Sequence, residues 1–150
     1  MTKYLGIDYG SKYIGLAVSD SDGKMAFPLK LLSVTGKTSV AIEKILVEIQ
    51  DHHVDAIVIG LPKNMDNSEG PQAKLTRQFA EELAKHTDKP IHFHDERLSS
   101  FAAEKLLAGP DQKTTRSNRL RNSTKAKRPK RRIDPVAAQV ILQGFLDIQS

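Results

Sequence analysis

The sequence contains no cysteine, and this absence excludes disulfide bonds, thiolate zinc sites and a cysteine nucleophile. No stretch approaches the roughly 18 apolar residues that a membrane-spanning helix requires. The N-terminal segment, MTKYLGIDYG, also lacks a basic region followed by a long apolar one. We therefore expect a soluble, cytoplasmic protein with no membrane partner.

Aromatic residues are scarce, with no tryptophan, five phenylalanines and three tyrosines among 150 residues. Hydrophobic residues make up 39% and charged residues 27% of the chain, so it should fold around a buried core. The length suits one ordinary domain. We predict a single domain over residues 1–150 that carries a flexible basic loop at about residues 110–132.

The net charge of +5 is unevenly distributed along the chain. Residues 113–132, KTTRSNRLRNSTKAKRPKRR, contain ten Lys or Arg and no Asp or Glu, which leaves 13 basic and 18 acidic residues elsewhere. An acidic body with a net charge of −5 thus carries one basic segment. A polyanion is the natural partner of such a segment, because each neutralised phosphate releases condensed counterions. A solvated, disordered loop would have the same composition.

The first third of the chain has the pattern of an antiparallel meander. Residues 3–8 and 13–19 have strand-type patterns, and the turn residues Tyr9-Gly10-Ser11-Lys12 separate them. A second turn signal at residues 20–23 precedes a third predicted strand at residues 29–34.

Helices and strands then alternate. Helical spacing predicts a helix from Thr38, as its N-cap, to Gln50, and Pro71 suits the first turn of a helix that ends near His86. The apolar run in residues 55–60 predicts a central strand covered on both faces, and residues 90–95 predict another strand.

Two more helices complete the pattern. Ser99 or Ser100 would cap a helix over residues 101–107, and the last helix would have Asp134 as its N-cap and Pro135 at its first position. One face of the last helix would carry Val136, Val140, Ile141 and Phe145. The whole order predicts an α/β fold with a mixed five-stranded sheet, an antiparallel meander plus parallel strands, and helices on both faces.

Acidic residues stand at three predicted element ends: Asp8 after the first strand, Asp95-Glu96 after the last strand and Asp134 at the final helix. Ligand sites in open α/β sheets form beyond strand ends, where loops and helix termini converge. Three carboxylates gathered there would repel one another unless they shared a cation, and Mg²⁺ or Mn²⁺ prefers oxygen ligands. A pair of such ions can activate a water molecule and stabilise the leaving oxygen of a phosphodiester.

Each acid also has a simpler interpretation. Asp8 could form an Asx-turn, Asp134 could only cap its helix, and Glu96 could pair with Arg97 at the surface. Their joint placement, with ten cations directly before Asp134, favours the metal-site hypothesis. His92 and His94 alternate with Glu96 on one strand, so a zinc site is an alternative.

Four blocks, GIDYGSKYIGLAVSD, IVIGLPKNMDNSEG, HDERLSS and RRIDPVAAQVILQ, resemble in order and spacing the signature blocks of the YqgF (RuvX) family of bacterial RNase H-like nucleases. They extend over essentially the full chain. The resemblance implies an RNase H-like fold, a divalent-metal nuclease activity, and an active site of Asp8, Glu96 and Asp134. It also implies processing of the 5′ end of precursor 16S ribosomal RNA or resolution of Holliday junctions.

The resemblance assigns roles to these residues. Asp8 would be a central metal ligand, Glu96 a second ligand or water orienter, and Asp134 the third ligand, around two Mg²⁺ or Mn²⁺ ions; Asp95 is a weaker candidate. Arg97 would contact the scissile phosphate or pair with a catalytic acid. The other expected substrate-binding residues are Gly10, Ser11 and Lys12 in the first turn and Lys125, Lys127, Arg128, Lys130, Arg131 and Arg132 in the basic segment.

One position departs from the RuvC resolvases, which place a carboxylate after the fourth strand. Here that position reads Ile59-Gly60-Leu61-Pro62, with no acid. The second carboxylate would therefore have to come from Glu96, after the fifth strand, and the resolvase mechanism does not transfer unchanged.

The leading hypothesis is a metal-dependent endonuclease that acts on structured RNA, with a Holliday junction or other DNA as the alternative substrate. A non-catalytic, ribosome-associated nucleic-acid-binding factor would use only the cations. An actin-like phosphotransferase also has a DxG turn, but that family uses two such domains. The protein is expected to be a monomer or a homodimer, and a junction resolvase would need a two-fold dimer to cut symmetric strands.

Overall fold

The computed structural model describes residues 1–34, 36–63, 66, 68–96 and 133–149. This part of the chain forms five strands and three helices. The strands are β1 (Tyr4–Tyr9), β2 (Tyr13–Ser19), β3 (Ala26–Ser33), β4 (Ala56–Leu61) and β5 (Ile91–Asp95), and the helices are α1 (Thr38–Asp51), α2 (Pro71–Ala84) and α3 (Pro135–Gln149). The strands form one sheet with the order β3-β2-β1-β4-β5.

The sheet is mixed, as the sequence predicts. The strands β1, β2 and β3 pair antiparallel, and β4 and β5 run parallel to β1. Strand β3 begins three residues earlier than expected, at Ala26, and includes Pro28. Proline lacks the N–H that a central strand would need, but β3 is an edge strand, where this donor is dispensable.

Strand β4 lies between β1 and β5, and all six of its residues are buried. This arrangement confirms the prediction of a central strand covered on both faces. Helices α1 and α2 cover one face, where Ile7 and Ile59 meet Ile45 and Phe79. Helix α3 covers the other face.

Helix α3 lies unusually close to the sheet because β1 carries a glycine beneath it. A β-carbon at Gly6 would lie 2.7 Å from Leu142 Cβ and 3.2 Å from the carbonyl oxygen of Ala138. The helix is also tied to β3, because Gln139 Nε2 donates to Ala26 O at 3.0 Å. These contacts fix the position of α3 and therefore of the residue that precedes it, Asp134.

The structure confirms some predicted helix boundaries and corrects others. Pro71 opens α2 and Pro135 opens α3. The predicted cap at Thr38 is wrong, since Thr38 is already helical and Lys37, the N-cap residue, makes no side-chain capping hydrogen bond. Val136 is not on the buried face of α3, because its side chain is 57% exposed. The buried stripe is instead Ala138, Ile141, Leu142, Phe145 and Leu146, the i, i+3, i+4, i+7, i+8 series.

The helix predicted over residues 101–107, with its cap at Ser99 or Ser100, lies outside the described residues. Among the residues that the structure does describe, no helix is both long and apolar enough to cross a membrane.

Candidate active site

Three residues, Gly15, Asp8 and Gly60, lie side by side across β2, β1 and β4 on the face of the sheet that α3 covers. Asp8 pairs with Gly15 in the antiparallel register of β1 and β2. Ile7 pairs with Ile59 in the parallel register of β1 and β4, so Asp8 lies beside Gly60 one residue further along. Side chains alternate between the faces of a strand, so Asp8 shares the face of Gly6 and points toward α3. Asp8 is therefore a carboxylate between two glycines, and it is only 1% exposed.

Asp134 lies directly on Gly15. A β-carbon at Gly15 would overlap the carbonyl oxygen of Asp134 and lie 2.8 Å from its carbonyl carbon, so no larger residue fits beneath this backbone. The side chain of Asp134 is oriented by the helix that it caps, because Ala137 N–H donates to Asp134 Oδ1 at 2.7 Å. The capping role predicted for Asp134 is thus confirmed.

Glu96 lies over the other glycine of the row. A β-carbon at Gly60 would lie 3.0 Å from both Cγ and Oε1 of Glu96, and 2.6 Å from Ile141 Cδ1 of α3. Glu96 directly follows β5, whose last residue, Asp95, pairs with Leu61. The carboxylate at the end of the fifth strand therefore reaches over the fourth strand, near the position where the sequence has no acid.

Three acidic residues that are far apart in sequence come together at this row, and we call Asp8, Asp134 and Glu96 the acidic row. Asp8 lies at its centre, with Asp134 over the glycine on one side and Glu96 over the glycine on the other. Carboxylate oxygens suit a hard divalent cation, so the chemistry of the row fits Mg²⁺ or Mn²⁺. Within the described ranges, however, no group of three or more His, Cys, Asp or Glu side chains is arranged to hold a metal ion, and this includes the zinc alternative at His92 and His94.

His94 is a neighbour of the row that sequence reasoning left without a role in the leading hypothesis. It pairs with Gly60, and its ring meets Phe145 edge-on at 6.3 Å between centroids. The side chain is buried, and among the described residues its Nε2 atom has no hydrogen-bond partner. Burial lowers the pKa of His94, and the negative charge of Asp95 opposes this effect. The only sequence signal was the alternation of His92 and His94.

The first turn lies at the end of the sheet where Asp134 is found. Gly10 N–H donates to Tyr13 O at 2.9 Å, which closes the turn. A β-carbon at Gly10 would lie 2.7 Å from Ile133 Cγ1, so the turn packs against the residue before Asp134. Ser11 and Lys12 are exposed there. The remaining substrate-binding candidates, Arg97, Lys125, Lys127, Arg128, Lys130, Arg131 and Arg132, lie outside the described residues.

The sheet order, the parallel strands added to a meander, and the acids at the ends of β1 and β5 define an RNase H-like fold of the RuvC type. The structure is similar to Thermus thermophilus RuvC in complex with a Holliday junction substrate, with a TM-score of 0.60, 12% identity, and coverage of 99% of this chain and 96% of that one. It is also similar to Ydc2, the yeast mitochondrial Holliday junction resolvase, with a TM-score of 0.52, 14% identity, and coverage of 97% and 78%. At these identities the likeness shows the fold.

The chain belongs to the RuvX family, whose model is described as "Holliday junction resolvase" and matches residues 2–148. Relatives from Ruegeria sp. strain TM1040 and Roseiflexus sp. strain RS-1 are 44% and 40% identical, both over 147 residues. These matches cover 98% of this chain and 85% and 95% of the respective relatives. A relative from Bacillus cereus strain B4264 is 38% identical over 97% of this chain and 98% of its own. All three are named "Putative pre-16S rRNA nuclease".

Proposed function

We propose that this chain is a divalent-metal-dependent endonuclease that hydrolyses phosphodiester bonds of structured nucleic acid and processes the 5′ end of precursor 16S ribosomal RNA in the cytoplasm. The observation that carries the proposal is the row at Asp8, a buried carboxylate with Asp134 and Glu96 over the two glycines that flank it. Three carboxylates gathered along one row repel one another, and a hard divalent cation shared between them would offset that repulsion. The name "Putative pre-16S rRNA nuclease" of the relatives supports RNA as the substrate.

Asp8, Glu96 and Asp134 would hold the metal, which we propose to be two Mg²⁺ or Mn²⁺ ions, and binding would draw these side chains closer together than they lie in this structure. Bound there, the metal would activate the attacking water and neutralise charge on the phosphate. The chain itself positions the acids. Strand pairing fixes Asp8, and the hydrogen bond from Ala137 N–H holds the carboxylate of Asp134 in one orientation.

Other residues would bind the substrate around this row. Gly10 packs against Ile133, and the exposed Ser11 and Lys12 offer a hydroxyl and an ammonium group in the same turn. We propose that Arg97 contacts the scissile phosphate and that the basic segment, as a flexible loop at about residues 110–132 of a single domain, holds the flanking backbone. Such contacts position the substrate without reading its sequence.

A Holliday junction is the second candidate substrate. Two observations favour it: the description of the matching family and the likeness to RuvC bound to a junction. Symmetric cleavage of a four-way junction needs two active sites related by a two-fold axis. An obligate dimer in solution would favour this substrate, whereas a monomer would favour RNA processing.

Asp8→Asn tests the proposed activity, because it removes the charge of the central carboxylate while keeping its shape. We expect the variant to lose Mg²⁺- or Mn²⁺-dependent cleavage of a precursor 16S rRNA fragment and to keep the circular dichroism spectrum of the wild type. Asp22→Asn, in the exposed turn between β2 and β3, is the matched control and should cleave normally.

Equal cleavage by the wild type and by Asp8→Asn would contradict the proposal and point to a contaminating nuclease. The non-catalytic alternative makes a different forecast. It expects salt-sensitive RNA binding, no cleavage by any variant, and no effect of Asp8→Asn on affinity with or without Mg²⁺.

A further inference from the structure

Tyr13 places an aromatic ring on the same face of the sheet as the acidic row. Gly15, two residues further along β2, lies against Asp134, and Ala17 packs in the core beneath α3. Because side chains two residues apart share a face, Tyr13 points to this side as well. Two residues of strand correspond to about 7 Å, so Tyr13 stands next to the row.

The three tyrosines of the chain differ in what surrounds their rings. The Tyr4 ring meets Phe145 at 5.5 Å and the Tyr9 ring stacks on Phe79 at 4.5 Å, so both belong to the core. The side chain of Tyr13, by contrast, is 46% exposed. Its backbone is nevertheless fixed, because Tyr13 O accepts from Gly10 N–H and Tyr13 pairs with Ser33.

The ring of Tyr13 lies where a nucleobase of a bound strand could stack on it. It lies between the turn that exposes Ser11 and Lys12 and the row at Asp8, so a strand whose phosphate reaches the acids would pass it. Every base has a π-face that can stack on an aromatic side chain, whatever its identity. Inside a duplex, both faces of a base are already covered by its neighbours. Only an unpaired or terminal base can stack on a protein ring.

We propose that Tyr13 is a substrate-binding residue that stacks on an unpaired nucleobase next to the phosphodiester at the acidic row. This inference rests on the proposed function and narrows its substrate class. The substrate is a structured nucleic acid that presents single-stranded nucleotides at the cut. Base identity is not read, because stacking on a ring discriminates little between bases.

Binding measurements with Tyr13→Leu and Tyr13→Phe test the proposal. The probes are a fluorescent single-stranded RNA and the same strand in a blunt duplex, with Mg²⁺, in an Asp8→Asn background that prevents cleavage. We expect Tyr13→Leu to weaken single-strand binding by about 5- to 150-fold, as the loss of one base stack predicts. Tyr13→Phe keeps the ring and should bind like the parent. Duplex affinity should change much less in either variant, because only the two terminal base pairs of the duplex expose an open face.

Phe27→Leu is the matched control. Phe27 is also an exposed aromatic residue, at 48%, but it pairs with Val18, which packs into the core beneath α1 and α2. It therefore lies on the opposite face of the sheet, and its replacement should leave single-strand affinity unchanged.

Tyr13→Trp adds a spectroscopic test, because the chain contains no other tryptophan. Single-stranded RNA should quench the fluorescence of this variant, whereas Phe27→Trp should not respond. If Tyr13→Leu binds single strands like the parent, or the tryptophan at position 13 does not respond to bound RNA, the stacking inference is overturned. The nuclease proposal survives that result when the wild type cleaves and Asp8→Asn does not. Absence of nucleic-acid binding by every variant overturns both.

Discussion

Asp134 combines a helix cap and a candidate catalytic carboxylate in one side chain. Its Oδ1 accepts the Ala137 N–H at 2.7 Å, and its backbone lies on Gly15 beside Asp8. Local sequence is enough to predict the cap, since an aspartate before a proline at the first helical position is a common helix start. The sequence gives no local sign that the same residue meets a strand more than one hundred positions earlier.

Two substitutions at Asp134 should separate these roles. Asp134→Asn keeps an oxygen that can cap the helix, so stability should stay close to that of the wild type while cleavage is lost. Asp134→Ala should lose cleavage and also about 0.5–2 kcal/mol of unfolding free energy, because the cap is gone. Urea unfolding and a cleavage assay measure the two effects. Normal cleavage by Asp134→Asn would exclude a catalytic role for this carboxylate.

Gly15 and Gly60 allow a comparison of two kinds of crowding. A β-carbon at Gly15 would meet the backbone of Asp134, whereas one at Gly60 would meet side-chain atoms of Glu96 and Ile141. We expect Gly15→Ala to lower the unfolding free energy by about 1–3 kcal/mol, because backbone must move. Gly60→Ala should be less destabilising, yet it should displace the Glu96 carboxylate and slow cleavage by about a hundredfold.

The measurements are the unfolding free energy and the single-turnover cleavage rate of both variants. Wild-type cleavage by Gly60→Ala would show that the position of Glu96 over β4 is irrelevant to the reaction. A larger stability loss in Gly60→Ala than in Gly15→Ala would contradict the distinction between backbone and side-chain crowding.

At the scale of the elements, the position of α3 determines where Asp134 lies, because Asp134 directly precedes this helix. Leu142 is fully buried and its Cβ would contact a β-carbon at Gly6. Leu142→Ala should lower the unfolding free energy by about 2–5 kcal/mol, because it removes buried methyl groups and leaves a cavity. Ile148→Ala, on the same helix but 62% exposed, should change it by less than about 0.5 kcal/mol. Equal effects of the two would mean that α3 is not held by this contact.

The elements also show where local patterns mislead. Thr38 has the side chain of a helix cap, but α1 already includes it, and the N-cap residue is Lys37. Val136 has an apolar side chain, which is typical of core residues, and yet it is 57% exposed. The helix is rotated so that Ala138 and Leu142 face the sheet instead. Ala138 contributes little to the hydrophobic pattern of the sequence because its side chain is small. The helix nevertheless approaches Gly6 at this residue.

At the scale of the whole molecule, charge separates the body from the basic segment. Replacing Lys125, Lys127, Arg128, Lys130, Arg131 and Arg132 by Gln should weaken nucleic-acid binding. It should also reduce the slope of log affinity against log salt by about 4 to 5, if each cation neutralises one phosphate. Binding titrations between low and moderate salt measure this slope. The control is a variant with three Lys→Gln substitutions at exposed positions: Lys44 in α1, Lys74 in α2 and Lys85 directly after α2.

An unchanged salt slope in the six-site variant, or an equal change in the triple control, would show that the basic segment is a solvated loop without contact to the substrate. The simpler interpretation of the segment, a solvated loop, would then be correct.

The sequence by itself determined the kinds of elements, the antiparallel meander, the central strand β4 and the cap at Asp134, because these depend on side-chain period and on hydrogen bonds between near neighbours. Only the tertiary structure decided that Glu96 lies over Gly60, that Asp134 lies over Gly15, and that Tyr13 stays exposed beside them. These facts follow from the register between β1, β2 and β4 and from the approach of α3 to the sheet. Register joins residues that are distant in the chain, and no local pattern of side chains specifies it.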